Sequence, residues 1–146
     1  MEVHERHLQG NQTMKTIDRV ARSVAQKSDA VFLRSDFERF GSPAQVGRAL
    51  DFLLGKGALV RLGVGVYAKA KPSTLSGKPI PTKPLEVLAP QVLEKMGVNV
   101  QPSRLTKAYN DGISTQIPAG IVLNIGTSRI VRKLGFNGRL VEYERA

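Results

Sequence analysis

"SDFERFGSPAQVGRALDFLLGKGALVRLGVGVYAK", residues 35–69, decides the fold. Within it Ser42 precedes Pro43, and Gln45 completes an S-x-x-Q box in which each side chain satisfies a backbone N–H at the start of a helix. Val46, Leu50, Leu53 and Leu54 recur on one face, and Gly55 or Gly57 stops the run, so the spacing predicts a helix over about 43–56. Upstream, Ser35 and Glu38 form a second box, S-x-x-E, for a shorter helix that Gly41 closes. Two capped helices a residue or two apart require a sharp turn of the chain, which is a helix-turn-helix signature. The run that follows holds β-branched residues and Tyr67 and reads as strands of roughly 58–62 and 64–70, joined at Gly63-Val64-Gly65.

Outward from that stretch, Ile17, Val20, Ala21 and Val24 keep helical spacing and predict a first helix over about 14–27. Val31 to Leu33 reads as a short strand. A helix, a helix-turn-helix and a basic hairpin are the parts of a winged helix, with residues 59–69 as the wing. Residues 1–13 show no periodicity and read as a disordered tail, with Met14 an alternative start. "KPSTLSGKPIPTKP", residues 71–84, is rich in proline and lysine and reads as an extended linker or a long surface loop. Beyond it "LEVLAPQVLEKMG" and "PSRLTKAYNDG" read as helices, and "AGIVLNIG", "SRIVRKLG" and "RLVEYER" as strands of a small antiparallel sheet. Asn137-Gly138 signals a type I′ hairpin between the last two. The expected architecture is α+β: a winged helix over 14–70, a linker over 71–84 and a helix-plus-antiparallel-sheet domain over 85–146.

Lys and Arg total 22 against 12 acidic residues, a net charge of +10. Residues 1–70 carry 11 basic and 7 acidic groups and residues 71–146 carry 11 and 5, so both halves are basic rather than one tail. Such an excess favours a polyanionic partner, nucleic acid above all, because basic side chains release phosphate counterions. The chain has no cysteine, and its only histidines, His4 and His7, lie in the N-terminal tail. The common nucleophile–base pairs and zinc sites therefore lack their parts, and the carboxylates fall at no metal-ligand spacing. The expectation is a cytoplasmic binding protein with no metal, no cofactor, no catalytic residue and no membrane association.

On the 43–56 helix, Gln45 and Arg48 are the candidates for base contact, since Gln can bridge adenine N6/N7 and Arg can bridge guanine O6/N7. The alternative for both is a solvated helix face. Ser42 and Ala44 stand at the first turn, where free N–H groups can meet a phosphate. Arg61 and Lys69 are candidates for backbone contact from the wing, with Gly63 and Gly65 letting its tip come close. Arg104, Lys107, Arg129, Arg132 and Lys133, together with Arg139, form a candidate secondary basic surface for nucleic acid or an acidic protein.

The segments "FGSPAQVGRALDFLLGKGALVRLGVGVYAK" and "VQPSRLTKAYNDGISTQIPAGIVLNIGTSR" together resemble the small AbiEi-like antitoxin and regulator proteins of bacteria and their mobile elements, over about residues 14–140. The matched motifs are "LVRLGVGVY" after the helix and, downstream, Gln101, Pro102 and Ser103 with Ser114, Thr115, Gln116, Ile117 and Pro118. Val64 departs from the basic residue often found between the two glycines. The resemblance implies an N-terminal winged helix that binds operator DNA for autoregulation and a C-terminal domain with antitoxin activity. It also implies a nucleotidyltransferase-like toxin as functional partner. The expected function is sequence-specific binding of double-stranded DNA as a transcriptional regulator, with a homodimer on paired half-sites. The rival expectations are a protein-docking module that grips a toxin through the C-terminal sheet and an RNA binder.

Overall fold

The computed structural model describes residues 15–102, 112, 121–129 and 132–145. Helical spacing of apolar side chains forms α1, Thr16–Gln26, and buries its Val20 and Val24. The box read at Ser42 forms as expected: Ser42 Oγ accepts from the Gln45 N–H at 3.2 Å, and Gln45 Oε1 accepts from the Ser42 N–H at 2.9 Å. It opens α2, Pro43–Lys56, which Gly57 closes in the left-handed conformation at φ 80°. Between these helices lie β1, Val31–Leu33, and a 3-10 helix, Arg34–Phe40. The second box is not made by Ser35 and Glu38. Instead the Asp36 carboxylate accepts the Leu33 N–H at 2.9 Å, which starts the turn at Arg34. So short an element between a strand and a capped helix tightens to 3-10 geometry around Phe37, which is fully buried with its ring centroid 5.8 Å from that of Phe32.

The hairpin forms as β2, Leu59–Gly63, and β3, Val66–Pro72, paired antiparallel with Leu59 opposite Lys69 and Arg61 opposite Tyr67. The register shifts between Arg61 and Gly63, a bulge just before the turn. β1 lies antiparallel on β3, with Val31 opposite Ala68, so the order is β1-β3-β2. The stretch expected as an extended linker or a long surface loop is ordered against the first sheet, because β4, Pro79–Pro81, pairs with the end of β3. Thr82 N–H donates to the Lys69 carbonyl and Ser73 N–H to the Lys78 carbonyl. The ladder bonds thus fall on alternate residues, and Pro79 and Pro81 occupy positions where a missing N–H leaves nothing unpaired.

Both faces of this sheet are covered. Phe32, Leu59 and Tyr67 face α1, the 3-10 helix and α2, and pack with Val20, Phe37, Val46, Leu50 and Leu53. Val31, Val60, Leu62, Val66 and Ala68 face the other way, onto α3, Leu85–Lys95, and a second sheet. One continuous core therefore joins Leu88 and Val92 of α3 to strands from both halves of the chain, where two separate domains were expected. Lys95 ties the same seam. Its ammonium donates to the Val31 carbonyl at 3.1 Å and lies 2.7 Å from the Asp36 carboxylate and 3.4 Å from that of Asp29.

The second sheet has the order β5-β6-β8-β7, with β5 Gln101–Pro102, β6 Ile121–Asn124, β7 Gly135–Phe136 and β8 Arg139–Glu144. Asn137 at φ 52° and Gly138 at φ 83° form the turn between β7 and β8 that the Asn-Gly pair signals. The sheet is mixed rather than antiparallel: β6 runs parallel to β8, with residues 125–138 as the crossover. Arg132, Lys133 and Leu134, expected in a strand, lie outside any strand. The helix expected over 102–112 falls on residues 103–111, outside the described residues, as do Ser103, Ser114, Thr115, Gln116, Ile117 and Pro118. Arg139 holds Glu86, at the start of α3, across 3.1 Å, and that guanidinium bond lowers the Glu86 carboxyl below its ordinary value. Among the described residues no helix is long and apolar enough to cross a membrane.

Candidate nucleic-acid interface

The polar side of α2 faces solvent. Ser42, Ala44, Gln45, Arg48, Asp51 and Phe52 are all exposed, while Val46, Ala49, Leu50 and Leu53 turn inward. Arg48 makes no hydrogen bond or ion pair among the described residues, so its guanidinium is free to present both nitrogens to a partner. Gln45 is different. Its amide oxygen already accepts the Ser42 N–H, and the bidentate adenine pair needs that oxygen and the amide nitrogen together. Base contact by Gln45 therefore competes with the cap, and only its NH₂ group is spare. Of the first-turn amides, Ser42 and Gln45 are satisfied within the box and Pro43 has no N–H, which leaves the Ala44 N–H pointing outward.

The hairpin residues divide. Arg61 is exposed and its guanidinium lies 5.7 Å from the centroid of the Tyr67 ring opposite it. That cation–π contact holds the guanidinium over the ring on one side and leaves the residue exposed to solvent on the other. Lys69 does not belong to the interface: it sits at the base of the hairpin, and its ammonium donates to the carbonyl of Lys27, the C-cap of α1. The charge caps the negative end of that helix instead. Gly63 is not an open approach to a phosphate either. A Cβ there would lie 2.4 Å from the Lys133 carbonyl oxygen, so the missing side chain is space for the protein's own backbone. Gly65 takes φ 70° in the turn itself, which Val64, at 86% exposure, carries out into solvent.

Arg34, which no motif marked, joins the two parts. Its Nη2 donates to the Pro43 carbonyl at 2.5 Å in the first turn of α2, and its guanidinium packs against Gly47. Its own backbone N–H donates to the Gly65 carbonyl at 2.9 Å in the hairpin turn. One residue thus fixes the distance between the start of α2 and the hairpin tip. In sequence it reads only as the residue between a strand and a Ser box, and nothing local signals the role.

The basic residues of the second half were expected to form a secondary surface, and Arg132, Lys133 and Arg139 instead reach the hairpin or α3. Arg132 Nη1 donates to the Val64 carbonyl at 2.8 Å, and the Lys133 backbone packs on Gly63. Arg61, Lys133 and Arg139 border a groove of about 450 Å³ between hairpin and second sheet. Arg129 is exposed, and Arg104 and Lys107 lie outside the described residues. Tyr143 of β8 sets Arg132 in place, its hydroxyl donating to the Arg132 carbonyl at 2.5 Å. Burial pushes the Tyr143 phenol above its ordinary value, against the smaller opposing pull of the Arg132 charge, so the hydroxyl stays a donor at neutral pH. Tyr143→Phe is expected to cost about 0.5–1.5 kcal/mol of stability and to shift the Val64 and Gly65 amide resonances. Unmoved resonances at the tip would show that Tyr143 does not act through Arg132.

Among the described residues no group of three or more His, Asp or Glu side chains is placed to hold a metal ion. No curated protein and no solved structure matches the chain. Residues 16–145 match a family of unknown function, DUF6088, and the chain belongs to that family.

Proposed function

We propose that residues 16–72 act as a winged helix that binds double-stranded DNA with sequence specificity, with α2 in the major groove and the β2–β3 turn against the flanking backbone. The element order supports it: helix, strand, helix, helix, then a hairpin whose second strand pairs with the first strand. The observation that carries the reading is Arg34, bonded to Pro43 on one side and Gly65 on the other, because it holds the start of α2 and the turn where one duplex can meet both. Arg48 reads bases, and the Ala44 N–H and Arg61 meet phosphates. The likeness to AbiEi-like regulators adds the context: an autoregulating antitoxin, dimeric on paired half-sites and functionally tied to a nucleotidyltransferase-like toxin.

The test is a fluorescence-anisotropy titration with the DNA upstream of the gene itself. Arg48→Ala should weaken binding to the preferred site by about 1–3 kcal/mol and relax its sequence preference. Unchanged affinity would remove α2 from the recognition role. Competition by structured RNA at equal strength would transfer the same basic surface to RNA.

A further inference from the structure

A second basic site lies away from α2, in a cleft of about 380 Å³ between α1 and the end of the 3-10 helix. Arg19, Arg22, Lys27 and Arg39 line it, and no carboxylate does. Four like charges around one cleft repel each other unless an anion enters. Of the two acids on the 3-10 helix, Asp36 is already taken by Lys95 and the Leu33 N–H, and Glu38 lines the neighbouring cleft beside Arg34 and Pro43 rather than this one. The C-terminal carbonyls of α1, which would oppose an anion here, are in part satisfied: Ser23 O accepts the Lys27 N–H, and Lys27 O accepts the Lys69 ammonium.

Ser23 supplies an independent sign. It also lines the cleft, is only 9% exposed, and its Oγ is the one buried side-chain polar atom among the described residues without a hydrogen-bond partner. A buried hydroxyl costs stability when it is left unpaired and so calls for an acceptor. Arg39 completes the wall, its guanidinium held 4.4 Å from the centroid of the Phe40 ring with its edge still exposed. We infer that this cleft binds a small molecule bearing a phosphomonoester or diphosphate group, with Arg19 and Arg39 pairing its charge and the Ser23 hydroxyl, closed to solvent at the cleft wall, turning to donate to a phosphate oxygen. The cleft shares no lining residue with α2 or the hairpin, so the inference stands whether or not the chain binds DNA.

The test is calorimetry on the full chain with ADP, pyrophosphate and adenosine as probes. ADP and pyrophosphate should bind and adenosine should not. Ser23→Ala removes an unpaired hydroxyl, so it should keep the melting temperature while weakening ADP binding by roughly 5- to 10-fold. Arg39→Gln should weaken it by about 10-fold or more. The inference is overturned if neither anion binds, if adenosine binds as well as ADP, or if Ser23→Ala leaves the affinity unchanged. It is also overturned if Arg39→Gln weakens duplex binding as much as ADP binding, since the occupant is then a DNA phosphate.

Discussion

Leu88→Ala is expected to lower the stability of the whole chain by about 2–5 kcal/mol and to do so in one transition. Leu88 is fully buried in α3, and the cluster around it takes Val31, Val60 and Ala68 from the first sheet and Ile121 and Val141 from the second. The cavity left by truncation would be walled by strands on two sides, each fixed by its own ladder, so little of it can collapse. Lys95 at the far end of α3 adds bonds to Val31 and Asp36, which bind the same helix to the first half. Amide exchange offers the measurement. The Ala68 and Val141 N–H groups, one in each sheet, should lose protection together in the variant. If Val141 exchanges freely while Ala68 keeps its wild-type protection, the halves are separate modules and the shared core carries little of the stability.

That expectation runs against the two-domain division read from the sequence, and the reason the shared core was not legible lies in particular residues. Signals between near neighbours were legible, apart from the Ser35–Glu38 box, whose place is taken by Asp36 one residue on. The Ser42–Gln45 box, Pro43 and Gly57 gave α2 its two ends, Gly63-Val64-Gly65 located the hairpin turn, and Asn137-Gly138 located the other. Each is a bond or a backbone angle set within a few residues. What depended on distant partners was not legible. Proline and lysine in 71–84 suggested a linker, yet alternate ladder bonds let Pro79 and Pro81 sit in a strand. The parallel pairing of β6 with β8 has no local marker at all. One cue was available and unused. Leu59-Val60 and Val66-Tyr67-Ala68 are consecutive apolar residues, the pattern of a strand buried on both faces, whereas a hairpin with one wet face alternates. On α2 the exposure of Arg48 was legible because a helix face follows from periodicity. Arg34 and the true roles of Gly63 and Lys69 were missed because they answer to the register of β3 and to residues far along the chain.

Gly63→Val should then separate the hairpin from the second sheet. A Cβ at residue 63 would come within 2.4 Å of the Lys133 carbonyl oxygen and 3.2 Å of Leu134 Cδ2. The nearer atom is backbone and cannot rotate out of the way, so either the tip or the 132–134 segment has to move. Movement there draws the fully buried Leu134 away from Leu62 and Val66 in the shared core, and it strains the Arg132 bond to Val64. The expected cost is roughly 1–3 kcal/mol from overpacking alone, read as a lowered denaturation midpoint. Val64→Ala, one residue further and 86% exposed, is the control and should stay within about 0.5 kcal/mol of wild type. The two variants also separate stability from recognition. In Gly63→Val the turn no longer sits where Arg34 holds it relative to Pro43, so duplex affinity should fall even at temperatures where the variant remains folded. A Gly63→Val protein that is destabilised yet binds DNA as tightly as wild type would mean that α2 alone makes the contacts and that the hairpin serves the core.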